Sequence, residues 1–150
     1  MKDYLLNAIP DKELNISNIS ISDEDYRSGN PYNTIFFMKI RSGDFSGSGF
    51  FELDIADLCT FARELNSLHS TLSGSTILKD IGYGSFIEFN TISKHGHIKV
   101  NGEIYGESKF QKAVFEFQID QTDLSLFCKN IYSDFGSSEE YAVKAIHNKS

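Results

Sequence analysis

The residues in this chain best suited to metal or acid–base chemistry are histidines and aspartates placed close together. His95 and His97 flank Gly96, and two imidazoles two positions apart on a strand share a face and can ligate zinc. This pair, however, spans a predicted hairpin turn, and no third ligand is near it in the sequence. We therefore expect both histidines to be exposed turn residues, and we predict no metal site.

The aspartates form two Asp-x-x-Asp pairs, Asp54 with Asp57 and Asp120 with Asp123. Paired carboxylates can act as general acid and base or bind a metal. Each pair nevertheless lies where a strand pattern gives way to a helical one, and an aspartate there accepts hydrogen bonds from the free N–H groups of the first turn. Helix capping explains both pairs, so we predict no catalytic residue and no cofactor.

Glycines and cysteines are the remaining residues that could mark a chemical site. The glycine-rich stretch at Gly43, Gly47 and Gly49 precedes a strand and lacks the lysine of a phosphate-binding loop, which favours turn and bulge positions. Cys59 and Cys128 both lie inside predicted helices. This placement indicates small buried thiols rather than a disulfide or a metal site.

The charge of the chain restricts its partners. The net charge is −7, from 21 acidic and 14 basic residues among 150. Phosphate binding needs a basic surface, so nucleic acid is disfavoured, whereas an acidic surface would speed the approach of a basic protein. The first ten residues are too polar for a signal peptide, and no apolar run approaches the ~20 residues of a membrane helix. We expect a cytoplasmic protein with no membrane partner.

One acidic segment, predicted to be a loop over residues 23–33, has the character of a binding site. Clustered carboxylates beside tyrosines can complement a basic protein, although acidic residues in exposed loops are also common. An aromatic between two glycines, and residues on the second hairpin and at its exit, could extend this surface. The predicted partner-binding residues are Asp23, Glu24, Asp25, Tyr26, Tyr32, Tyr83, Glu103, Tyr105 and Glu107.

The helices that begin at the aspartate pairs belong to a pattern that occurs twice, 66 positions apart. Residues 51–65 and 117–131 share two phenylalanines, two aspartates and a leucine at aligned positions. Each copy predicts an alternating strand followed by an amphipathic helix, and Gly74 and Gly136 are predicted to end the two helices. A true duplication and convergence on the few residues that suit a strand–helix junction would both explain the repeat.

These patterns predict the element order β-β-β-α, repeated once. The predicted strands of the first half are 14–22, with a bulge near Asn18, then 34–41 and 45–53. Those of the second half are 85–92, 97–105, with a bulge at Gly102, and 112–119. Residues 1–12 are a weakly patterned lead-in.

The patterning also predicts how the elements are layered. Strands with one polar face favour antiparallel hairpins, and helices with one apolar stripe pack on a single layer. We predict one α+β domain over residues 1–150, a two-layer sandwich with two helices on one face of a mainly antiparallel sheet of about six strands. Its pseudo-repeat halves are about 13–74 and 84–136, and the tail, 137–150, is either a short helix or a frayed end. Uncovered edge strands would allow a homodimer.

Several segments together resemble one protein family. They are the strand and cap at 45–54, the apolar stripe of Leu58, Phe61, Leu65 and Leu68, the segment 71–78, the hairpin at 97–102 and the strand and cap at 117–124. Over roughly residues 35 to 135 the chain is similar to the WapI-type family of bacterial immunity proteins. The resemblance implies a cytoplasmic antitoxin that binds the toxic C-terminal domain of a polymorphic toxin, often a nuclease, and blocks it. It implies no catalytic residues.

We therefore predict a protein without enzymatic activity that neutralises a cognate toxin domain by occluding it. The alternative is a small-ligand-binding or structural α+β domain without a toxin partner, which would show a concave apolar pocket with a few converging polar groups. A hydrolase or metal enzyme is less favoured, because it needs His95, His97 and a carboxylate within coordinating distance.

Overall fold

The computed structural model describes residues 2–108, 110–140 and 142–144, which form eight strands and three helices and add helical residues in the tail. The strands are β1 Tyr4–Ala8, β2 Lys12–Ile21, β3 Thr34–Ser42, β4 Phe45–Leu53, β5 Ser75–Lys79, β6 Phe86–Ser93, β7 His97–Tyr105 and β8 Lys112–Asp120. The helices are α1 Asp23–Ser28, α2 Ile55–Thr71 and α3 Gln121–Phe135.

The strands form two antiparallel sheets rather than one. Their orders are β1-β2-β3-β4 and β5-β6-β7-β8. The α+β class and the antiparallel pairing are confirmed, whereas the prediction of one sheet of about six strands and only two helices is wrong. Two short strands account for the difference in strand number: β1 lies in the supposed lead-in, where Tyr4, Leu6 and Ala8 alternate into the core, and β5 follows α2. Each half therefore has four strands before its long helix.

Both long helices begin where the aspartates predicted. The Asp54 side chain accepts a hydrogen bond from the N–H of Ala56 at 3.0 Å, and Asp123 accepts one from the N–H of Asp120 at 2.9 Å in a capping box. Gly136 follows α3 as predicted. The end of α2 was misplaced, because Leu72 adopts the left-handed conformation (φ 53°) two residues before Gly74.

The apolar stripes of both helices cover the same face of the second sheet. The ring of Phe89 on β6 lies 5.9 Å from that of Phe61 on α2 and 6.2 Å from that of Phe127 on α3, between ring centroids. On the first sheet, the ring of Tyr4 lies 5.8 Å from that of Phe135 on α3. The apolar surfaces of the two repeated helices are therefore buried in the core.

The two sheets meet where glycines allow close approach of their backbones. A Cβ on Gly49 would lie 2.5 Å from the carbonyl oxygen of Tyr105, and one on Gly47 would lie 2.3 Å from the Cβ of Ala113. Pairing of β3 with β4 continues without a shift through both positions, so the prediction of bulge glycines there is wrong. Gly43, with φ 62°, is the turn residue that was predicted.

The bulges lie elsewhere. The predicted irregularity near Asn18 is confirmed, since the register of β2 shifts between Ser17 and Ser20. The bulge predicted at Gly102 is wrong, because its pairing is regular and a Cβ there would lie 2.2 Å from the carbonyl oxygen of Phe86. Close approach of neighbouring backbone, and not a kink, requires this glycine.

Two smaller predictions have clear outcomes. Cys59 and Cys128 are free and buried, as expected. In the tail, residues 139–140 and 142–144 are helical, and Ala142 and Val143 are buried. Residues 141 and 145–150 lie outside the described part of the chain.

Candidate functional site

The acidic segment begins with a short helix, α1, and not with a loop. The Ser22 hydroxyl accepts a hydrogen bond from the N–H of Asp25 at 3.2 Å, and Gly29 ends the helix in the left-handed conformation. Carboxylates in the first turn and Arg27 in the last both suit the helix dipole. Six residues are too few to show a helical period, which is why the sequence pattern was interpreted as a loop.

The acidic side chains of α1 differ in whether they contact other side chains of the protein. Asp23 forms an ion pair with Arg27 at 2.9 Å, and Asp25 accepts a hydrogen bond from the Asn30 amide at 3.2 Å. Glu24 is exposed. Tyr26 packs against the core, so part of its ring is already covered.

Three other predicted residues line one groove. Its volume is about 460 Å³, and it lies where the outer face of the first sheet meets the end of β7. The residues lining it are Phe37, Ser48, Gly49, Phe50, Tyr83, Tyr105, Gly106 and Glu107. Tyr83 is thus brought together with Tyr105 and Glu107, which come from a later part of the sequence.

Two phenylalanines that the sequence analysis did not select also line this groove. Phe37 and Phe50 are paired in register on β3 and β4, and their ring centroids are 5.3 Å apart at 64°. Phe50 is 63% exposed. The sequence held a signal for both, because consecutive phenylalanines on a strand, Phe36-Phe37 and Phe50-Phe51, cannot both point inward.

Tyr83 is held beside the groove by a buried carboxylate. Asp80, only 2% exposed, accepts hydrogen bonds from the N–H groups of Tyr83 at 2.7 Å, Gly82 at 3.2 Å and Glu52 at 2.9 Å. The N–H of Ile81 donates to the carbonyl of Glu52 at 3.0 Å. The loop between β5 and β6 is thereby fastened to β4, while the Tyr83 side chain stays 77% exposed.

Glu103 and Tyr105 form a polar cluster with Lys112. The Tyr105 hydroxyl donates to Glu103 at 3.1 Å, and the Lys112 ammonium lies 3.7 Å from a Glu103 carboxylate oxygen. The same ammonium lies 5.7 Å from the centroid of the Tyr105 ring. Glu103 is therefore engaged within the protein.

A second depression lies beside the acidic helix, on the same sheet face as the groove. It has a volume of about 320 Å³, and its lining includes Asp25, Tyr32, Ile35 and Glu52. Ile35 lies two residues before Phe37 on β3, and Glu52 two residues after Phe50 on β4, so these pairs share the outer face of the sheet. We call the combined surface the acidic aromatic face. Its residues are Asp25, Tyr32, Ile35, Phe37, Phe50, Glu52, Tyr83, Tyr105 and Glu107.

His95 and His97 are exposed residues at the turn between β6 and β7, as predicted. The Nδ1 of His97 lies 3.2 Å from the Ser93 hydroxyl, and its Nε2 lies 3.9 Å from Asp120. Among the described residues, no group of three or more histidine, cysteine or acidic side chains could hold a metal ion.

Comparison with known proteins places the chain in a family. No curated protein matches the chain. Separately, no described helix is long and apolar enough to cross a membrane. The model of the WapI-like family of immunity proteins matches residues 12–136, that is, from β2 through the end of α3. This match confirms the resemblance seen over residues 35 to 135 and extends it toward the N-terminus. The chain belongs to the WapI-like family of immunity proteins.

Proposed function

We propose that this protein binds the toxic domain of a cognate toxin through the acidic aromatic face and neutralises it by occlusion. The observation that carries the proposal is an exposed aromatic groove lined by one carboxylate residue, Glu107, on a member of an immunity-protein family. Exposed apolar patches rimmed by polar groups mark interaction sites. Tyrosine and phenylalanine are enriched at the centres of protein interfaces.

The charge distribution favours a basic partner. Asp25 and Glu52 lie at one depression and Glu107 at the other, and the chain carries a net charge of −7. Lys39 and Arg41 share the outer face of β3 toward the far hairpin, and Arg41 lies 3.9 Å from Glu13. The acidic end of the face therefore suits a basic surface, such as the phosphate-binding cleft of a nuclease.

The proposed mode of action is steric and needs no catalysis by this chain. A domain docked on the acidic aromatic face would have its own working surface covered, and membership in an immunity-protein family favours such binding. The site of action is the cytoplasm, where an antitoxin meets a toxin that has entered the cell. Dimerisation is not required, and a homodimer remains a prediction.

Binding of a small ligand in the groove is the second candidate. The groove volume of about 460 Å³ falls within the usual range for ligand sites, roughly 300–1,000 Å³. Two of its aromatic side chains, however, are mostly exposed: Phe50 by 63% and Tyr83 by 77%. Rings that project into solvent can enter a partner's surface, whereas an enclosed pocket would bury a small molecule.

The test is co-expression with the C-terminal domain of a toxin encoded beside this gene. We expect the protein to restore growth to cells that produce the toxin domain and to elute with it as a one-to-one complex. Growth arrest despite full expression of the folded protein, with the two chains eluting separately, would contradict the proposal.

A further inference from the structure

We propose that the groove of the acidic aromatic face receives an arginine side chain of the bound partner. The guanidinium would stack on the exposed ring of Tyr83, beside the half-buried Tyr105, and pair with Glu107. This inference rests on the proposed function and specifies the chemistry of the partner at that site.

The lining of the groove has the composition of a cation site. The residues that line it include four aromatic residues, Phe37, Phe50, Tyr83 and Tyr105, and one acidic residue, Glu107. The face of an aromatic ring is electron-rich and attracts a cation, and a guanidinium also stacks on it as a flat group. A nearby carboxylate can accept two parallel hydrogen bonds from a guanidinium. An ammonium group cannot adopt this geometry.

The chain contains an internal example of the same chemistry. Lys112 places its ammonium 5.7 Å from the Tyr105 ring centroid and 3.7 Å from the Glu103 carboxylate. A tyrosine ring beside a carboxylate therefore already holds a cation at the edge of the groove. Because Glu103 compensates the charge of Lys112, this lysine repels a second cation only weakly.

Glu107 is the carboxylate available to a partner. It is exposed, and within the described ranges no salt bridge joins it to another residue. The backbone next to Glu107 is held in place, because the N–H of Gly106 donates to the carbonyl of Gln111 at 2.7 Å. An exposed carboxylate gives up less hydration than a buried one when it meets a guanidinium.

The experiment uses the full chain and two small probes of the same shape. Nα-acetyl-arginine methylamide carries the guanidinium, and Nα-acetyl-citrulline methylamide replaces it with a neutral urea. Each is titrated into isotopically labelled protein while the NMR resonances of Tyr83 and Tyr105 are followed. We expect the arginine probe to bind at the groove at least about threefold more tightly than the citrulline probe.

Two variants localise the effect. Glu107→Gln is expected to lower the affinity of the arginine probe and to leave that of the citrulline probe nearly unchanged. Glu116→Gln, which alters another exposed glutamate, on β8 and paired with Lys99, is expected to leave the affinity of the arginine probe unchanged. Equal binding of the two probes, equal effects of the two variants, or no shift at the groove would each overturn the inference.

The fate of the inference can be separated from that of the proposed function. If the toxin domain binds but the groove does not distinguish the two probes, the arginine site is wrong and the immunity function stands. If the groove selects the arginine probe but no toxin domain binds, the proposed function is wrong instead.

Discussion

The carboxylate of Asp80 accepts a hydrogen bond from the backbone N–H of Glu52 at 2.9 Å and so joins the two halves of the chain. Asp80 follows β5 of the second sheet, and Glu52 belongs to β4 of the first. The same buried carboxylate holds the N–H of Tyr83 at 2.7 Å. One side chain therefore attaches the β5–β6 loop to the first sheet and positions an exposed ring of the candidate site.

Replacing Asp80 should weaken both the fold and the site. In Asp80→Asn one oxygen acceptor becomes a donor that faces N–H groups, so at least one buried hydrogen bond is lost at a cost of about 1–3 kcal/mol. The free energy of unfolding, measured in denaturant, should fall by this amount. Asp44→Asn, in the exposed turn between β3 and β4, is the matched control, and an equal effect of both changes would contradict the role assigned to Asp80.

The contact between the sheets predicts an intolerance at Gly49. A Cβ there would lie 2.5 Å from the Tyr105 carbonyl oxygen, which cannot move without shifting β7. Gly49→Ala should therefore destabilise the protein by about 1–3 kcal/mol, as overpacking does. Ser48→Ala changes the adjacent exposed position on the same strand and should alter the unfolding free energy by less than about 0.5 kcal/mol.

The two buried cysteines predict a loss of stability in alkali. Burial raises the pKa of the Cys59 thiol and that of the Cys128 thiol to about 11, above the usual value for a thiol. Below about pH 9 both thiols are neutral in the folded and unfolded states, so their contribution is constant. Between about pH 9 and 11 the unfolded chain ionises first, and stability should fall by on the order of 2 kcal/mol for each thiol.

The measurement is the free energy of unfolding from pH 8 to pH 11, in wild type and in the Cys59→Ala/Cys128→Ala variant. Burial and the neighbouring Asp134 also raise the pKa of Tyr4, so wild type and variant share that part of the decline. The variant should lose less stability over this window. Parallel pH profiles would show that the thiols ionise no later in the folded protein than in the unfolded one.

Electrostatic attraction predicts that toxin binding depends on salt. Increasing the ionic strength shortens the Debye length from about 10 Å at 0.1 M to about 3 Å at 1 M. The association rate with a basic toxin domain should fall over this range, while the dissociation rate changes less. Stopped-flow or surface plasmon resonance can separate the two rates, and an association rate indifferent to salt would argue against charge complementarity.

Particular residues show how far the sequence predicted this structure. The strands β3 and β4 and the helix caps at Asp54 and Asp120 could be predicted, because they depend on local periodicity and local hydrogen bonding. The strand β1 has only five residues, and α1 only six, too short for a period to stand out. The division into two sheets depends on tertiary contacts that no local pattern shows. β5 pairs with β6, and the loop between them is hydrogen-bonded to β4.

Only some residues of the candidate site could be predicted from the sequence. Tyr83, Tyr105 and Glu107 were selected for residue type and placement in turns or hairpins, but their convergence depends on the packing of Gly49 against Tyr105. Phe37 and Phe50 were missed because the sequence analysis did not distinguish the inward and outward faces of their two strands. Asp80 escaped notice because one aspartate beside a turn is ordinary until its three N–H partners are known.

The most direct test of the central claim is the affinity of the cognate toxin domain for the Phe50→Ala/Tyr83→Ala variant, measured by isothermal titration calorimetry. The control is Phe45→Ala, which removes an 82% exposed phenylalanine from the opposite end of the same strand. If the acidic aromatic face binds the toxin, the double variant should bind at least about 30-fold more weakly, as expected for interface hot spots. The control should bind like wild type. Unchanged binding by a folded double variant would contradict the account.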